Sequence, residues 1–65
     1  MDPELRGFND GIKFASENPD AKANITQHAT CFAKKYQKEN DKKEYTNGFK
    51  SGFALQLRKI DRMNE

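Results

Sequence analysis

The chain has 65 residues, of which 34% are charged and 34% hydrophobic, and its formal net charge is +2. A chain of this length forms one domain at most, here residues 1–65, and has too little scaffold for a deep catalytic cleft beside its core. The single cysteine excludes an internal disulfide. The acidic start is unlike a signal peptide, and no apolar run is long enough to span a membrane. We therefore expect a cytoplasmic protein.

The first predicted helix covers residues 3–16. Asp2 supplies a side-chain acceptor at the N-cap, and Pro3 stands at the first helical position, where its missing N–H costs nothing. An apolar stripe at helical spacing follows, formed by Leu5, Phe8, Ile12 and Ala15. The helix should end near Ser16, because Asn18 precedes a proline and resists the helical conformation.

Two further helices are predicted, over residues 19–38 and 42–62. The second shows the apolar spacing of Ile25, Ala29, Phe32 and Tyr36. A polar segment of residues 38–43 then indicates a turn, in which Asp41 resembles the N-cap of a capping box. The third helix carries the apolar residues Tyr45, Phe49, Phe53, Leu57 and Ile60. Short connections make sequential helices antiparallel, so the predicted fold is a small all-α three-helix bundle.

A short internal repeat links the first and third helices. Each copy reads Gly-Phe-x-x-Gly followed by a large apolar residue: Gly7, Phe8, Gly11 and Ile12, then Gly48, Phe49, Gly52 and Phe53. A glycine inside a helix costs about 1 kcal/mol relative to alanine. Because glycines four residues apart lie on one helix face, close backbone contact can offset this cost.

Two interpretations of the repeat remain open at this point. In the first, the first and third helices cross each other at the two Gly-x-x-x-Gly faces, with Phe8 and Phe49 packed nearby. In the second, one or both glycine faces are open and accept another protomer or an RNA backbone. The helix-contact or interface residues are thus Gly7, Phe8, Gly11, Gly48, Phe49 and Gly52.

No enzyme signature is present, so we expect neither catalysis nor a cofactor. His28 and Cys31 lie three residues apart on the second predicted helix, but a structural zinc site needs four ligands and no second His/Cys pair exists. We therefore expect no metal, and we interpret the pair as a semi-buried thiol and an imidazole at the surface or on the flank of the helix. A nucleophilic cysteine would also need an oriented base and a substrate pocket.

The charges are distributed unevenly. Residues 1–20 carry two basic and five acidic side chains, whereas residues 21–65 carry ten basic and five acidic ones. Such a basic region is either a solvated surface or a site for an acidic partner such as RNA, bound through its phosphates. The candidate RNA-binding residues are Arg6, Lys34, Lys35, Lys38, Lys42, Lys43, Lys50, Arg58, Lys59 and Arg62.

The glycine-aromatic segments resemble those of the ribosome modulation factor family. The segment Arg6-Gly7-Phe8-Asn9-Asp10-Gly11-Ile12 is similar to that family's Arg-Gly-aromatic-x-x-Gly-Ile opening. Asn47-Gly48-Phe49 resembles its later Gly-aromatic segment, and Cys31-Phe32 is loosely similar to its Cys-Pro-aromatic element. The resemblance implies association with the ribosome through ribosomal RNA. The positions it would carry over are Arg6, Gly7, Phe8, Gly11, Gly48 and Phe49.

The sequence therefore supports two functional hypotheses, both for a small non-enzymatic regulatory protein. The first is a protein–protein module, either a homodimer or an inhibitor or adaptor of the kind found on phages and mobile elements. The observations that support it are the small size, the four glycines and the unpaired Cys31. The second is a ribosome- or RNA-associated regulator, motivated by the basic region and by the family resemblance.

Overall fold

The structure, a computed structural model, describes residues 2–63 and, among side chains, those of residues 2–62. Three α-helices are present in this range: α1 (Pro3–Glu17), α2 (Ile25–Ala33) and α3 (Glu39–Met63), with a 3₁₀ segment at Pro19–Asn24. The described part of the chain contains no strand. The predicted all-α three-helix bundle is confirmed.

Helix α1 begins as its sequence predicts. The Asp2 side chain accepts a hydrogen bond from the backbone N–H of Glu4 at 3.2 Å, and Pro3 occupies the first helical position. The backbone N–H of Asn18 donates to the carbonyl of Phe14 at the other end, immediately before Pro19. The predicted boundaries of α1 are therefore correct to within one residue.

The second predicted helix, residues 19–38, is wrong in its continuity and its end. Pro19–Asn24 forms a 3₁₀ segment without a side-chain cap, and the α-helix covers only Ile25–Ala33. At its end, the backbone N–H groups of Lys34 and Tyr36 donate three residues back instead of four, to Cys31 and Ala33. This tightened backbone reverses the chain direction within residues 34–38, and it lets Tyr36 pack against the Tyr45 ring.

Helix α3 begins at Glu39, three residues before the predicted start at residue 42. Asp41 consequently lies inside the first turn, and the predicted N-cap role for Asp41 is wrong. Glu39 and Asp41 still place negative charge at the N-terminus of the helix, where the helix dipole favours it. The apolar part of the helix is placed as predicted, with Tyr45, Phe49 and Phe53 almost fully buried.

Helices α1 and α3 pack through direct backbone contact. A Cβ atom added at Gly7 would collide with the Tyr45 carbonyl oxygen, and one at Gly11 with the Phe49 carbonyl oxygen, at separations that real Cβ atoms essentially never show. Because Gly7 contacts Tyr45 and Gly11 contacts Phe49, residue numbers rise together along α1 and α3, and the two helices run parallel. Gly48 and Gly52 make the reciprocal contacts with the carbonyl oxygens of Glu4 and Phe8.

The buried face of α1 differs from its predicted apolar stripe. Leu5 is 51% exposed, and Phe8 and Ile12 are only partly buried. Ala15 is buried as predicted, and the other buried residues are Gly7 and Gly11, at the same four-residue spacing. The stripe is wrong at Leu5, Phe8 and Ile12, because the closest approach between two helices favours their smallest residues, which pushes the larger side chains to the flanks.

Helix α2 covers the remaining side of α3 with aromatic contacts. Phe32 stacks on Phe49 with ring centroids 5.4 Å apart, and the Tyr36 ring lies 5.5 Å from that of Tyr45. These pairs advance from the end of α2 into the following turn as they retreat along α3, so α2 and α3 are antiparallel. The small residues Ala29 and Ala33 form the buried face of α2.

Candidate functional site

The glycine faces are closed within the monomer. All four glycines are buried, and each rests against a backbone carbonyl of the opposite helix. The interpretation that these faces are open to another protomer or to RNA is therefore wrong. Of the two aromatic residues of the repeat, Phe49 is 1% exposed and Phe8 is half-buried at the edge of the contact. The repeat acts as a helix-contact motif whose glycine faces are occupied by the opposite helix.

One concave surface combines three of the predicted RNA-binding lysines. It lies between the C-terminal end of α2 and the first turns of α3 and has a volume of about 420 Å³. We call it the lysine cleft. Its lining residues are Thr30, Ala33, Lys34, Glu39, Lys42, Lys43, Thr46 and Asn47.

The lysine cleft is basic and rich in hydrogen-bonding groups. The structure describes all the lining residues, and Glu39 is the only acidic side chain among them. Its carboxylate pairs with the Lys42 ammonium group at 3.4 Å. Lys34 and Lys43 are exposed. Two lysines thus remain for an external anion after that pair, and the hydroxyl and amide groups of the lining can donate hydrogen bonds beside them.

The remaining predicted basic residues are not brought into this cleft. Lys35 forms an ion pair with Asp10 at 3.5 Å on the other flank of α2, and Lys38 precedes α3 as an exposed residue. The others are exposed along the helices and do not line the cleft: Arg6 on α1, and Lys50, Arg58, Lys59 and Arg62 on α3.

A polar cluster on the Lys35 flank of α2 joins α1, α3 and the turn that follows α2. The buried Tyr45 hydroxyl donates to the Asp10 carboxylate at 2.5 Å, and the Lys35 ammonium group lies 4.5 Å from the centre of the Tyr45 ring. Burial raises the pKa of Tyr45 above its ordinary value, and the hydrogen bond and charge of Asp10 raise it further. Tyr45 therefore keeps its proton well above neutral pH.

An aromatic groove lies beside this polar cluster. Its volume is about 210 Å³, and its lining residues are Asp10, Lys13, Phe14, Glu17, Phe32, Lys35, Tyr45 and Phe49. Phe32 is 42% exposed although its ring packs against Phe14 and Phe49. The ring is thus held in place while much of its surface faces solvent.

A third concavity, the acidic groove, lies between α1 and α3 at the N-terminal end of α1. It has a volume of about 580 Å³ and is lined by Asp2, Glu4, Leu5, Phe8, Asn47, Gly48 and Ser51. Leu5 is one of two large apolar side chains that are exposed within residues 2–62, Phe32 being the other. The acidic groove borders the lysine cleft at Asn47, which lines both.

His28 and Cys31 do not form a site together. The His28 ring is half-buried and packs against Phe14 at a centroid distance of 4.9 Å. Cys31 is exposed, so the expectation of a semi-buried thiol is wrong; the position faces away from Ala29 and Ala33, the buried face of α2. Within residues 2–63, no group of three or more His, Cys, Asp or Glu residues is arranged to hold a metal ion.

Sequence reasoning missed the polar lining of the lysine cleft and the whole aromatic groove. Thr30, Thr46 and Asn47 have no distinctive local pattern, and they become neighbours only because α2 and α3 pack antiparallel. Phe14 and Phe32 lie on different helices, and only the folded structure brings their rings together. No sequence signal indicated the exposure of Phe32, because its spacing from Ala29 favours the same face of α2.

No family model matches the chain, and neither the curated proteins nor the solved structures give a significant match. Within the described residues, no helix combines the length and the apolar character needed to cross a membrane.

Proposed function

We propose that this protein is a non-enzymatic, RNA-associated regulator that binds structured RNA, such as a ribosomal RNA, through the lysine cleft. The observation that carries the proposal is the convergence of Lys34, Lys42 and Lys43 in one concave surface between α2 and α3. Lysines neutralise phosphates, and concave clusters of like charge attract oppositely charged partners.

The closed glycine contact supports this choice over the dimer hypothesis built on the repeat. That hypothesis required a glycine face able to accept another backbone, and each of the four glycines instead contacts a backbone carbonyl of the same chain. The four glycines consequently explain the packing of the monomer. They give no reason to expect a partner.

The composition of the cleft indicates the kind of RNA contact it would make. Threonine, asparagine and lysine side chains commonly contact phosphate and sugar oxygens, contacts that position a protein without reading the base sequence. None of the lining residues is an arginine, the side chain that most often reads guanine. We therefore expect recognition of backbone shape, with little sequence preference.

Binding to a fluorescently labelled RNA hairpin, measured by anisotropy, tests the proposal. If Lys34 and Lys43 neutralise two phosphates, raising the salt concentration from about 50 to about 200 mM should weaken binding by about 7- to 12-fold. Lys34→Glu and Lys43→Glu should each weaken binding and lower the salt dependence. Lys22→Glu is the matched control, because it makes the same charge change in the 3₁₀ segment, before α2 and away from the cleft.

The expected result is a loss of affinity in both cleft variants that exceeds the loss in the Lys22→Glu control. Equal losses in all three variants would show that only net charge matters, and would contradict a specific role for the cleft. Failure of the unmodified protein to bind any RNA at low salt would overturn the proposal.

A protein partner remains the second candidate, because the acidic groove carries an exposed apolar side chain. Leu5 is 51% exposed and lines this groove with Asp2, Glu4 and Phe8. A second copy or another protein that contributes apolar and basic side chains would fit such a surface. Sedimentation equilibrium of the unmodified protein and of Leu5→Lys distinguishes self-association through Leu5 from a monomer.

A further inference from the structure

The aromatic groove offers a binding surface that the lysine cleft does not use. The Phe32 ring is supported by Phe14, at a centroid distance of 5.6 Å, and stacks on Phe49 at 5.4 Å with an interplanar angle of 29°. These contacts restrict the ring while 42% of the residue remains exposed. A fixed, half-exposed ring is suited to stacking against a planar ligand.

The charges around the groove favour a ligand with a planar ring and a flanking anion. Lys13 is exposed on α1, and the Lys35 ammonium group is held beside Tyr45 by Asp10. Lys13 can contact a phosphate at the edge of the groove, whereas Lys35 is already paired with Asp10 at 3.5 Å. The carboxylates of Asp10 and Glu17, which also line it, repel a phosphate from the interior. A neutral ring can therefore enter the groove, while the charged backbone stays outside.

The groove is continuous with the proposed RNA site along the chain. Lys34 lines the lysine cleft and the next residue, Lys35, lines the aromatic groove. The two concavities thus lie on opposite flanks of the same end of α2. A strand bound in the cleft would pass around this helix end to enter the groove. The volume of the groove, about 210 Å³, is below that of typical drug-sized ligand sites.

We propose that the aromatic groove binds one unpaired nucleobase of an RNA, stacked on the exposed surface of Phe32, with an adjoining phosphate contacted by Lys13. The inference rests on the proposed function, since it assumes that the lysine cleft holds the neighbouring part of the same RNA. It adds a site for single-stranded RNA to one for a phosphate backbone. Aromatic side chains stack on bases of any sequence.

The test compares one RNA hairpin in three forms: without an extension, with a short single-stranded adenosine extension, and with the same extension made abasic. Anisotropy at constant salt gives the affinity of each for the unmodified protein and for Phe32→Leu, which keeps an apolar side chain but removes the ring. Leu5→Ala, at the other exposed apolar residue, is the control. Far-UV circular dichroism checks that all variants fold.

The adenosine extension should raise the affinity of the unmodified protein about 5- to 100-fold over the bare hairpin, as expected for one stacked base. This gain should be absent with the abasic extension and in Phe32→Leu, and preserved in Leu5→Ala. An equal gain from the abasic extension, or an equal gain in Phe32→Leu, would overturn the stacking inference.

The outcomes also separate this inference from the proposed function. An extension that adds no affinity, while hairpin binding still depends on Lys34 and Lys43, contradicts base binding and leaves the lysine cleft intact. The groove would then suit a different occupant, such as an apolar side chain of a protein partner. Absence of hairpin binding in the unmodified protein would overturn both proposals.

Discussion

The contact of α1 with α3 and the contact of α2 with the rest of the bundle are built in opposite ways. The first relies on four glycines and four backbone carbonyls, with no large side chain between the helix axes at the crossing. The second relies on aromatic rings whose centroids lie 4.9 to 5.6 Å apart, and on the contacts of Lys35 with Asp10 and Tyr45 just after α2. The backbone contact leaves no room for a side-chain atom at the glycines, whereas the aromatic contact depends on the rings that the side chains supply.

The glycine contact also shows how poor helix formers can support a helical domain. At each glycine, the hydrogen in the Cβ position points toward a carbonyl oxygen of the other helix. Such Cα–H···O contacts contribute about 0.5–1 kcal/mol each, comparable with the helix-propensity cost of a glycine. The α2 side contributes less uniform packing, but it carries both the lysine cleft and the aromatic groove. The glycine contact forms the scaffold, and the α2 side carries the candidate binding surfaces.

The largest expected effect comes from a methyl group added in the glycine contact. In Gly11→Ala, the new Cβ would meet the Phe49 backbone, including its carbonyl carbon at 2.9 Å, so the helices must separate. We expect a loss of at least about 3 kcal/mol in unfolding free energy, enough to leave so small a domain largely unfolded. Thermal unfolding followed by circular dichroism measures this. Asn9→Ala, at an exposed α1 position, is the control and should keep the native stability.

A smaller effect is expected from the polar cluster on the aromatic side. Tyr45→Phe removes the hydroxyl that donates to Asp10 while keeping the buried ring. The unfolding free energy should fall by about 1–2 kcal/mol, because a hydrogen bond to a carboxylate is lost. Urea denaturation measures the change. Tyr36→Phe, at the half-buried tyrosine beside it, should change the stability by less; an equal change would contradict a specific role for the Asp10 contact.

The same hydrogen bond predicts a dependence of stability on alkaline pH. The pKa of Tyr45 is raised in the folded protein by burial and by Asp10, whereas the unfolded chain ionises this group near its ordinary value of 10.0. The resulting stabilisation is complete below that pH. Above that pH, the stabilisation falls by on the order of 1 kcal/mol for each pH unit. Urea denaturation at successive pH values should show a steeper decline for the unmodified protein than for Tyr45→Phe, and parallel curves would contradict the assignment.

The smallest effect is expected at the exposed aromatic ring. Phe32→Leu removes a residue that is 42% exposed and whose neighbours Phe14 and Phe49 remain packed on each other. Its unfolding free energy should fall by no more than about 1 kcal/mol, in contrast to Gly11→Ala. Thermal unfolding of the two variants in parallel gives the comparison. A loss as large as that of the glycine variant would mean that the aromatic side is as intolerant as the backbone contact.

The glycine repeat was the most informative part of the sequence, because the cost of glycine in a helix demands a compensating contact. That argument predicted the crossing of α1 and α3. Local patterns were less reliable where tertiary packing decides the outcome. The apolar periodicity of α1 pointed to Leu5, whereas the closest helix approach selected Gly7 and Gly11. In the same way, the spacing of Phe32 with Ala29 indicated burial, although its ring lies at the surface.

The candidate site was predictable in its charge and not in its geometry. Lysines clustered around residues 34–43 indicated a basic surface. Which of them share one concavity depends on where α2 ends and where α3 begins, and both boundaries differ from prediction by three residues or more. The turn after Ala33 separates Lys34 from Lys35, so that consecutive residues line different surfaces.

The most direct test of the central claim is a heteronuclear NMR titration of isotopically labelled protein with the RNA hairpin. If the lysine cleft is the binding surface, the largest amide shift changes should occur around Thr30, Lys34, Lys43 and Asn47. The amides of Gly7 and Gly11 should change little, because the helix contact stays closed. Changes concentrated at Leu5 and Phe8, or spread along the glycine contact, would contradict the account.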